Sequence, residues 1–335
     1  MKNLVKILSV QMLVLLCGCV NSEITDGLVL KRGDLAVKVR CEVSVSKSLA
    51  EYETATSEES AVHRLDVFVF DAVSGRLERS ASMSALPEDV RFELPVGKKL
   101  VYAVVNGPDP GAVRSLGEMM ALGEDLSLRS FERDGLVMMG YAECVVSSET
   151  ECTPEIIVKR LVSRVELRSI KCNVPVQYGG MKVESVFLGD AYAVQTLSGT
   201  VSSQVNKGGY ADESKTQPIG TGEVSGECHE YMYRSPDVDL MVGETSSQPI
   251  YMYCQPDSGM TMTSLYILAS VGDGRYYYRV SLDKGLFANT TCVVDVVITN
   301  LGAPLPPDGV LQKGEITADI TIGKWLVGDR YHAEF

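Results

Sequence analysis

Histidine and cysteine are the residue types in this sequence best suited to binding a metal or acting as nucleophiles. The chain has three His and nine Cys among 335 residues, and the two types are adjacent only in Cys228-His229-Glu230. Successive side chains of an extended strand point to opposite faces, so three neighbours converge poorly on one ion. The cysteine spacings match no zinc finger or zinc ribbon. The sequence therefore predicts no metal site and no cofactor.

Motifs of known catalytic chemistry are also missing from the sequence. Residues 220–226 are rich in glycine, but they are one residue off the dinucleotide-binding spacing and lack its strand–turn–helix setting. Carboxylates are abundant, yet nothing in the sequence brings two of them together across a cleft, as a glycosidase would require. We predict that the protein is not an enzyme, has no catalytic residues and has no small-molecule substrate.

The charge and composition exclude two further classes. There are 44 acidic and 31 basic side chains, which gives a net charge of −13. Binding to phosphates depends on clustered Lys and Arg, so we expect no nucleic-acid partner. Apolar residues make up 45% and charged residues 22% of the chain, which are ordinary values for a globular protein and not for a disordered one.

The N-terminus has the pattern of an export signal. Lys2 and Lys6 precede a run of apolar residues that extends to residue 18. A short basic region followed by such a run is typical of a secretory signal peptide. The run is shorter than the roughly 20 residues that a membrane-spanning helix needs.

The end of this signal resembles the bacterial lipoprotein box, in which a cysteine after a small residue is acylated and becomes the new N-terminus. The residues are Leu16-Cys17-Gly18-Cys19. We predict a lipoprotein signal peptide at 1–18, a lipid (palmitate-type acylation) on Cys19 and a polar tether at 19–27. A plain cleaved signal with two incidental cysteines is the alternative.

Seven cysteines remain after the signal region, and an exported protein could oxidise them. An odd number leaves at least one thiol free unless a partner takes it. Cys144 and Cys152 flank a turn-like segment at 147–151 and could face each other across a hairpin. Two interpretations stay open for this pair: a disulfide, or two small apolar side chains in a core.

Short runs of alternating apolar and polar residues recur between turn signals, as at 35–43, 65–70 and 98–106. This pattern is typical of half-buried strands in β-sandwiches, so the sequence predicts an all-β fold. Residues 115–128 form the best helical candidate, and glycines keep it short. In the second half, strands are predicted at 182–188, 250–254, 263–271, 276–282, 292–299 and 315–325, and a long exposed loop at 199–227.

The length suggests two domains, because each half is long enough to bury its own core. We place the domain change near Pro154, at the start of a long apolar run. The predicted domains are 28–155 and 156–335.

Several of these segments, taken in order, resemble the fimbrillin superfamily of Bacteroidales, and in particular its FimB-like branch of anchor or minor-subunit lipoproteins. Residues 65–71 followed by Ser74-Gly75 resemble an early strand and turn of that family. The segments that carry the rest of the resemblance are 101–106, 137–140, 159–165 and 289–298. Cys292 stands where the family usually has a tyrosine.

The resemblance implies a cell-adhesion or pilus (fimbrium) subunit built from two tandem transthyretin-like Greek-key β-sandwich domains. It implies a mechanism in which shaft subunits are cut after an arginine near the N-terminus, lose their first strand, and accept a strand from a neighbouring subunit. Anchor subunits keep their lipid and their first strand. Here the candidate first strand is Leu28, Val29 and Leu30, and Arg32 is the candidate processing site.

We therefore expect an outer-membrane, lipid-anchored and surface-exposed anchor or minor subunit. Its partners would be fimbrial shaft subunits, through strand exchange, and the outer membrane, through the lipid on Cys19. A shaft or tip subunit processed after Arg32 is one alternative, and a secreted hydrolase is another. A third is a surface glycan-binding lipoprotein, although sugar-binding platforms favour exposed Trp and the chain has one.

Two short patterns have competing interpretations. Arg32-Gly33-Asp34 matches an adhesive tripeptide, but we interpret it as a turn between strands, whose preceding Lys31-Arg32 would be exposed to proteases. The tyrosines at 251/253 and 276–278 could form a ligand platform, but cross-strand tyrosines commonly stabilise sheets.

Overall fold

The computed structural model describes residues 31–41, 58–126, 135–205, 232–246, 248–257, 263–304, 316–324 and 327–328. Within these ranges strands predominate and α-helix is confined to a single short segment, which confirms the predicted all-β class. The longest described helix has five residues, so no helix in this part of the chain is long and apolar enough to cross a membrane.

The elements of the first half run from residue 32 to residue 160. They are β1 (Arg32–Cys41), a 3-10 helix (Glu58–Ser60), β2 (Leu65–Asp71), β3 (Leu77–Met83), β4 (Val90–Pro95), β5 (Gly97–Val105), α1 (Leu116–Met120), β6 (Gly123–Asp125), β7 (Met138–Val146) and β8 (Glu155–Arg160).

The elements of the second half begin at residue 163. They are β9 (Ser163–Cys172), a second 3-10 helix (Val176–Tyr178), β10 (Gly180–Gly189), β11 (Ala191–Thr196), β12 (Val201–Val205), β13 (Tyr233–Arg234), β14 (Val238–Met241), β15 (Thr245–Ser246), β16 (Ile250–Cys254), β17 (Ser264–Val271), β18 (Gly274–Ser281), β19 (Thr290–Ile298), β20 (Ile316–Lys324) and β21 (Val327–Gly328).

Seven strands of the first half form a folded sheet in the order β3-β2-β5-β7-β8-β1-β4. Neighbours are antiparallel except β1 and β8, which run parallel. β7 and β8 pair only through Met138 with Arg160 and Met139 with Lys159. The sheet therefore turns over at this corner into a sandwich, and side chains of β1, β2, β4, β5, β7 and β8 share one core.

β2 is buried on both of its faces, as the alternation of a strand between two layers requires. Leu65, Val67 and Val69 point into the sandwich core. Phe68 and Phe70 point the other way, into a separate cluster that also holds Met119 of α1. The apolar run predicted at 65–70 is thus a central strand.

The second half contains a larger core that draws on strands from β9 to β20. One of its sheets has the order β13-β10-β17-β18, with β14 also on β10, and another has the order β15-β9-β19-β20-β21, with β16 also on β9. β9 and β19 are parallel. The predicted domain boundary at 155/156 stays a prediction; Ile156 and Val158 pack in the first core and Val162 in the second.

Backbone pairing joins the two halves around α1. The helix begins after Ser115, whose Oγ accepts from the Glu118 N–H at 3.3 Å, and it ends at Met120 because β6 then pairs with β11 of the second half. Leu197, at the end of β11, packs into the same cluster as Met119. Within the range 115–128, where a helix was predicted, the described helix therefore spans only Leu116–Met120.

Two sequence predictions of local structure were wrong. Residues 32–34 are not a turn but the start of β1, where Gly33 pairs with Leu94. A Cβ at Gly33 would lie 1.9 Å from the Ser147 carbonyl oxygen, so glycine here permits a close approach of two chain segments. The predicted exposed loop at 199–227 contains β12, which pairs with β11; its remainder from 206 lies outside the described residues. Trp325 also lies outside them.

We expect Gly33→Ala to destabilise the protein by about 1–3 kcal/mol, because its methyl group must displace the backbone at Ser147. Gly117→Ala is the matched control: a Cβ there meets nothing within 4 Å, and alanine in a helix is favoured over glycine by up to about 1 kcal/mol. Urea unfolding of the two variants measures both effects. Equal stability of the two variants would contradict the close approach.

Candidate assembly site

Arg32, the candidate processing residue, is the first residue of β1 and pairs with Pro95 at the end of β4. Its Nη1 lies 3.6 Å from Glu93 Oε1, and both side chains are more than half exposed, so the ion pair contributes little stability. The Lys31 carbonyl accepts from the Val96 N–H at 2.9 Å. Lys31 and Arg32 are thus held against the end of β4 and do not form a protruding loop.

The other predicted site residues lie outside the described part of the chain. These are Cys19, Leu28, Val29 and Leu30. Lipidation and the candidate first strand therefore stay predictions, as does cleavage after Arg32. A cut there would leave β1 in the processed protein, since β1 extends to Cys41.

β1 is an interior strand with partners on both edges. One edge pairs with β4, and the other meets the segment that leads into β8. The Cys152 N–H donates to the Asp34 carbonyl at 2.9 Å, and the Cys152 carbonyl accepts from the Ala36 N–H at 2.8 Å. Leu35 and Val37 are fully buried in the first core. The described β1 therefore fills its own place in the sandwich.

The open side of this sandwich lies between β7 and β8. β5 covers one edge of β7 along its whole length, but on the other edge β8 pairs with Met138 and Met139 alone. Among the described strands, none pairs with that edge from Gly140 to Val146. Unpaired N–H and C=O groups along such an edge can bind an added strand.

Apolar side chains line this open side, which we call the β7–β8 groove. Its rim consists of Tyr141, Val145 and Ile157, which lie on the outer faces of the two layers and are each more than half exposed. Ala142, Cys144 and Cys152 form the floor, where they are partly buried and pack against the first core. Large exposed apolar side chains grouped in this way are typical of interaction sites.

A buried ion pair fixes the first half against the second. The carboxylate of Glu59 accepts from Arg164 Nη1 at 3.1 and 3.0 Å and from Tyr253 Oη at 2.5 Å. Glu59 and Arg164 are each 1% exposed. Arg164 Nε also donates to Thr291 Oγ1 at 3.1 Å. Arg164 of β9 and Tyr253 of β16 thus satisfy one carboxylate from the first half, and Thr291 of β19 accepts from Arg164.

A second arginine supports the same 3-10 helix through its backbone. Arg160 Nε donates to the Glu59 carbonyl at 3.0 Å, and its Nη2 donates to Ser60 Oγ at 2.9 Å. Burial lowers the pKa of Arg160 from its usual value, and the nearby Glu59 carboxylate opposes that shift. The two arginines of the segment 159–165, noted in the sequence for its family resemblance, therefore have a structural role at the junction.

Two asparagines with positive φ hold the chain near this junction. Asn106 (φ 53°) follows β5, and its side-chain carbonyl accepts from the His63 N–H at 2.8 Å and the Arg64 N–H at 3.2 Å. Asn289 (φ 57°) precedes β19, and its side chain accepts from the Arg160 N–H at 3.4 Å. Both residues end or begin segments that carry the family resemblance.

The described residues contain no group of three or more His, Cys, Asp or Glu side chains placed to hold a metal ion. Cys228, His229 and His332 lie outside the described residues. The tyrosines considered as a ligand platform are mostly interior: Tyr253, Tyr277 and Tyr278 are all buried. The sheet-stabilising interpretation of these three residues is therefore correct.

Sequence comparison adds an independent observation to this geometry. Residues 34–154 match the family model of the major fimbrial subunit protein (FimA). This range runs from β1 through β7 to Pro154 and includes most of the β7–β8 groove. The match covers about a third of the chain and agrees with the resemblance to fimbrial subunits seen in the sequence. No curated protein matches the chain in sequence.

Solved structures with a similar fold cover most of the chain. A fimbrilin (FimA) from Porphyromonas gingivalis is 15% identical, with a TM-score of 0.59 over 89% of this chain and 98% of its own. A candidate cell adhesion protein from Bacteroides eggerthii is 15% identical, with a TM-score of 0.62 over 88% and 96%. One from Parabacteroides distasonis is 14% identical, with a TM-score of 0.61 over 88% and 97%. At these identities the likeness shows the fold.

We expect Arg164→Met to lower the free energy of unfolding by about 3–5 kcal/mol, because it leaves the Glu59 carboxylate buried without its cation. Arg168→Met is the matched control on the same strand. Arg168 pairs with Asp295 at the surface, so its loss should cost about 0.2–1 kcal/mol. Denaturant unfolding checks both values, and similar losses in the two variants would contradict the structural role of the buried pair.

Proposed function

We propose that this protein is a fimbrillin and acts as a lipid-anchored anchor or minor subunit that joins a pilus by β-strand exchange. The observation that carries the proposal is the β7–β8 groove, an open sheet edge with an apolar rim in a region that matches the fimbrial-subunit family. The family is one of structural proteins, and its members assemble with other fimbrial subunits at the cell surface.

The chemistry of the groove fits an extended peptide better than a small ligand. A strand added to β7 would pair with the backbone from Tyr141 to Val146, since the Ile157 backbone already lies against Gly140. Alternate side chains of that strand would point inward and cover Ala142 and Cys144, which are only partly buried. Main-chain hydrogen bonds then give affinity, and the inward side chains give specificity. A fimbrial shaft subunit is the partner that this proposal names.

The anchoring part of the proposal depends on the N-terminus. A lipid on Cys19 would hold the subunit to the outer membrane, with signal peptide 1–18 removed and residues 19–27 as the tether. Two or three acyl chains on one cysteine give firm anchoring, whereas a single chain is marginal. The two cores support the proposed arrangement of tandem transthyretin-like sandwiches, and the bounds 28–155 and 156–335 stay a prediction.

A shaft or tip subunit processed after Arg32 is the second candidate. A protease binds its substrate as an exposed extended segment, so the start of β1 would have to leave β4 before Arg32 could be cut. Two contacts oppose that step: the hydrogen bond from the Val96 N–H to the Lys31 carbonyl, and the strand pairing of Gly33 with Leu94. This favours the unprocessed, anchor-like role.

The anchor role is tested on the full chain, tagged at its C-terminus, in outer membranes from the native cell. Mild-detergent purification followed by mass spectrometry identifies both the N-terminal peptide and the bound proteins. We expect an acylated Cys19 terminus and a co-purifying fimbrillin. Cys19→Ala should abolish the lipid and the membrane association, whereas Cys17→Ala should retain both.

A terminus at Gly33 together with a fimbrillin would instead identify a shaft or tip subunit. A lipidated protein without a fimbrillin, or with a sugar transporter, would refute the pilus role and favour the glycan-binding alternative.

Strand exchange at the groove is tested by placing a charge on its rim. Val145→Arg should reduce the amount of co-purified fimbrillin about tenfold or more, because a desolvated charge opposes docking of an apolar strand. Met241→Arg is the matched control: Val145 and Met241 are 61% and 60% exposed, and both lie on strands. Equal recovery of fimbrillin with both variants would rule out docking at this edge.

A further inference from the structure

Cys144 and Cys152 meet on the floor of the β7–β8 groove. Cys144 projects inward from β7, and Cys152 lies just before β8 in the opposite layer of the sandwich. Both are half-buried and pack against the same core. The Cys152 thiol lies close enough to Cys144 to contribute to the raised pKa of the Cys144 thiol.

The backbone on each side of this contact is firmly held. The register of β7 on β5 pairs Cys144 with Lys99. Cys152 exchanges two backbone hydrogen bonds with β1, through Asp34 and Ala36. The turn between the cysteines is closed by Ser147 Oγ, which accepts from the Thr150 N–H at 3.2 Å. The two side chains are therefore directed at each other by structure that does not depend on a covalent bond.

We propose that Cys144 and Cys152 form a disulfide in the exported protein, which ties β7 of one layer to the segment that pairs with β1 in the other. The inference rests on export, which a fimbrial surface location implies, and not on strand exchange. Disulfides form and persist in oxidising compartments outside the cytosol.

The reaction requires an oxidant, and we name the class: a protein whose own disulfide is passed on by exchange. The Cys152 thiolate attacks one sulfur of that disulfide, and the other sulfur leaves as a thiolate. The Cys144 thiolate then attacks Cys152 Sγ and releases the oxidant as a dithiol. The chain loses two S–H bonds and gains one S–S bond, while the oxidant gains two S–H bonds.

The environment of Cys144 indicates when this reaction takes place. Burial, with the neighbouring Cys152 thiol, raises the pKa of Cys144 to about 12, so in the folded protein the thiol is protonated at neutral pH. Only the thiolate is nucleophilic. Oxidation is therefore fastest while the hairpin of β7 and β8 is still exposed to solvent during folding.

The other described cysteines lack this arrangement. Cys172, Cys254 and Cys292 are deeply buried in the second core. Cys254 and Cys292 lie on β16 and β19, which flank β9 on opposite sides, so two inter-strand spacings separate them. A disulfide needs Cα atoms within about 7 Å. Cys41 is half-buried on the first core and serves as a control.

The test is differential thiol labelling of the full chain from the envelope of the native cell. The protein is quenched in acid, blocked with iodoacetamide in denaturant, reduced, and labelled with N-ethylmaleimide. A glutamate-specific protease cuts at Glu149 and Glu151, between the two cysteines. We expect N-ethylmaleimide on Cys144 and Cys152 and iodoacetamide on Cys41. Without reduction, the two cysteine peptides should be recovered as one linked species.

Iodoacetamide on both Cys144 and Cys152 would overturn the proposal, as would a link from Cys144 to any other cysteine. A thermal measurement provides a second readout. Dithiothreitol should lower the unfolding temperature of the wild-type protein by roughly 5 °C, as expected for a short closed loop. The double variant Cys144→Ser/Cys152→Ser should lose this dependence on reductant, and Cys41→Ser should keep it. Reductant dependence that persists in the double variant would place the bond elsewhere.

Discussion

A carboxylate buried away from water needs matching charge and hydrogen bonds, and Glu59 finds them in groups that the second half supplies. Arg164 and Tyr253 bind its carboxylate, and Arg160 binds its backbone. Because an unpaired buried charge is costly, this one interaction fixes how the 3-10 helix lies against β9, β16 and β19. The pairing of β6 with β11 and the cluster around α1 then complete the contact between the halves.

With the halves fixed in this way, the first sandwich exposes its open side to solvent. β1 and β4 complete one layer, and β5 covers one edge of β7, which leaves the other edge of β7 without a described partner. A single chain that builds a sandwich cannot pair every edge with its own strands. This unpaired edge is the surface at which we propose that a second subunit adds a strand, so the incomplete sheet and the proposed assembly have the same geometric origin.

Sequence patterns located the strands well where alternation is local. The segments at 65–70, 98–106 and 292–299 are strands, and two of the segments that suggested the family correspond to β2 and β19. The turn assigned to Arg32-Gly33-Asp34 was wrong, because glycine there serves a close approach to Ser147, which is distant in the sequence. Sequence analysis did not identify Glu59 as a structural residue. Its partner Arg164 lies 105 residues away, and no local pattern distinguishes Glu59 from the other acidic residues among the 44 in the chain.

The sequence by itself determined the all-β class and the order of the main strands and indicated a resemblance to fimbrial subunits, since each depends on alternation and turn residues close together in the chain. It also placed Cys144 and Cys152 opposite each other as one of two alternatives. Only the tertiary structure decided which edge of the first sandwich stays open and which charges are buried between the halves. Both depend on pairings between residues far apart in the chain, which local patterns do not encode.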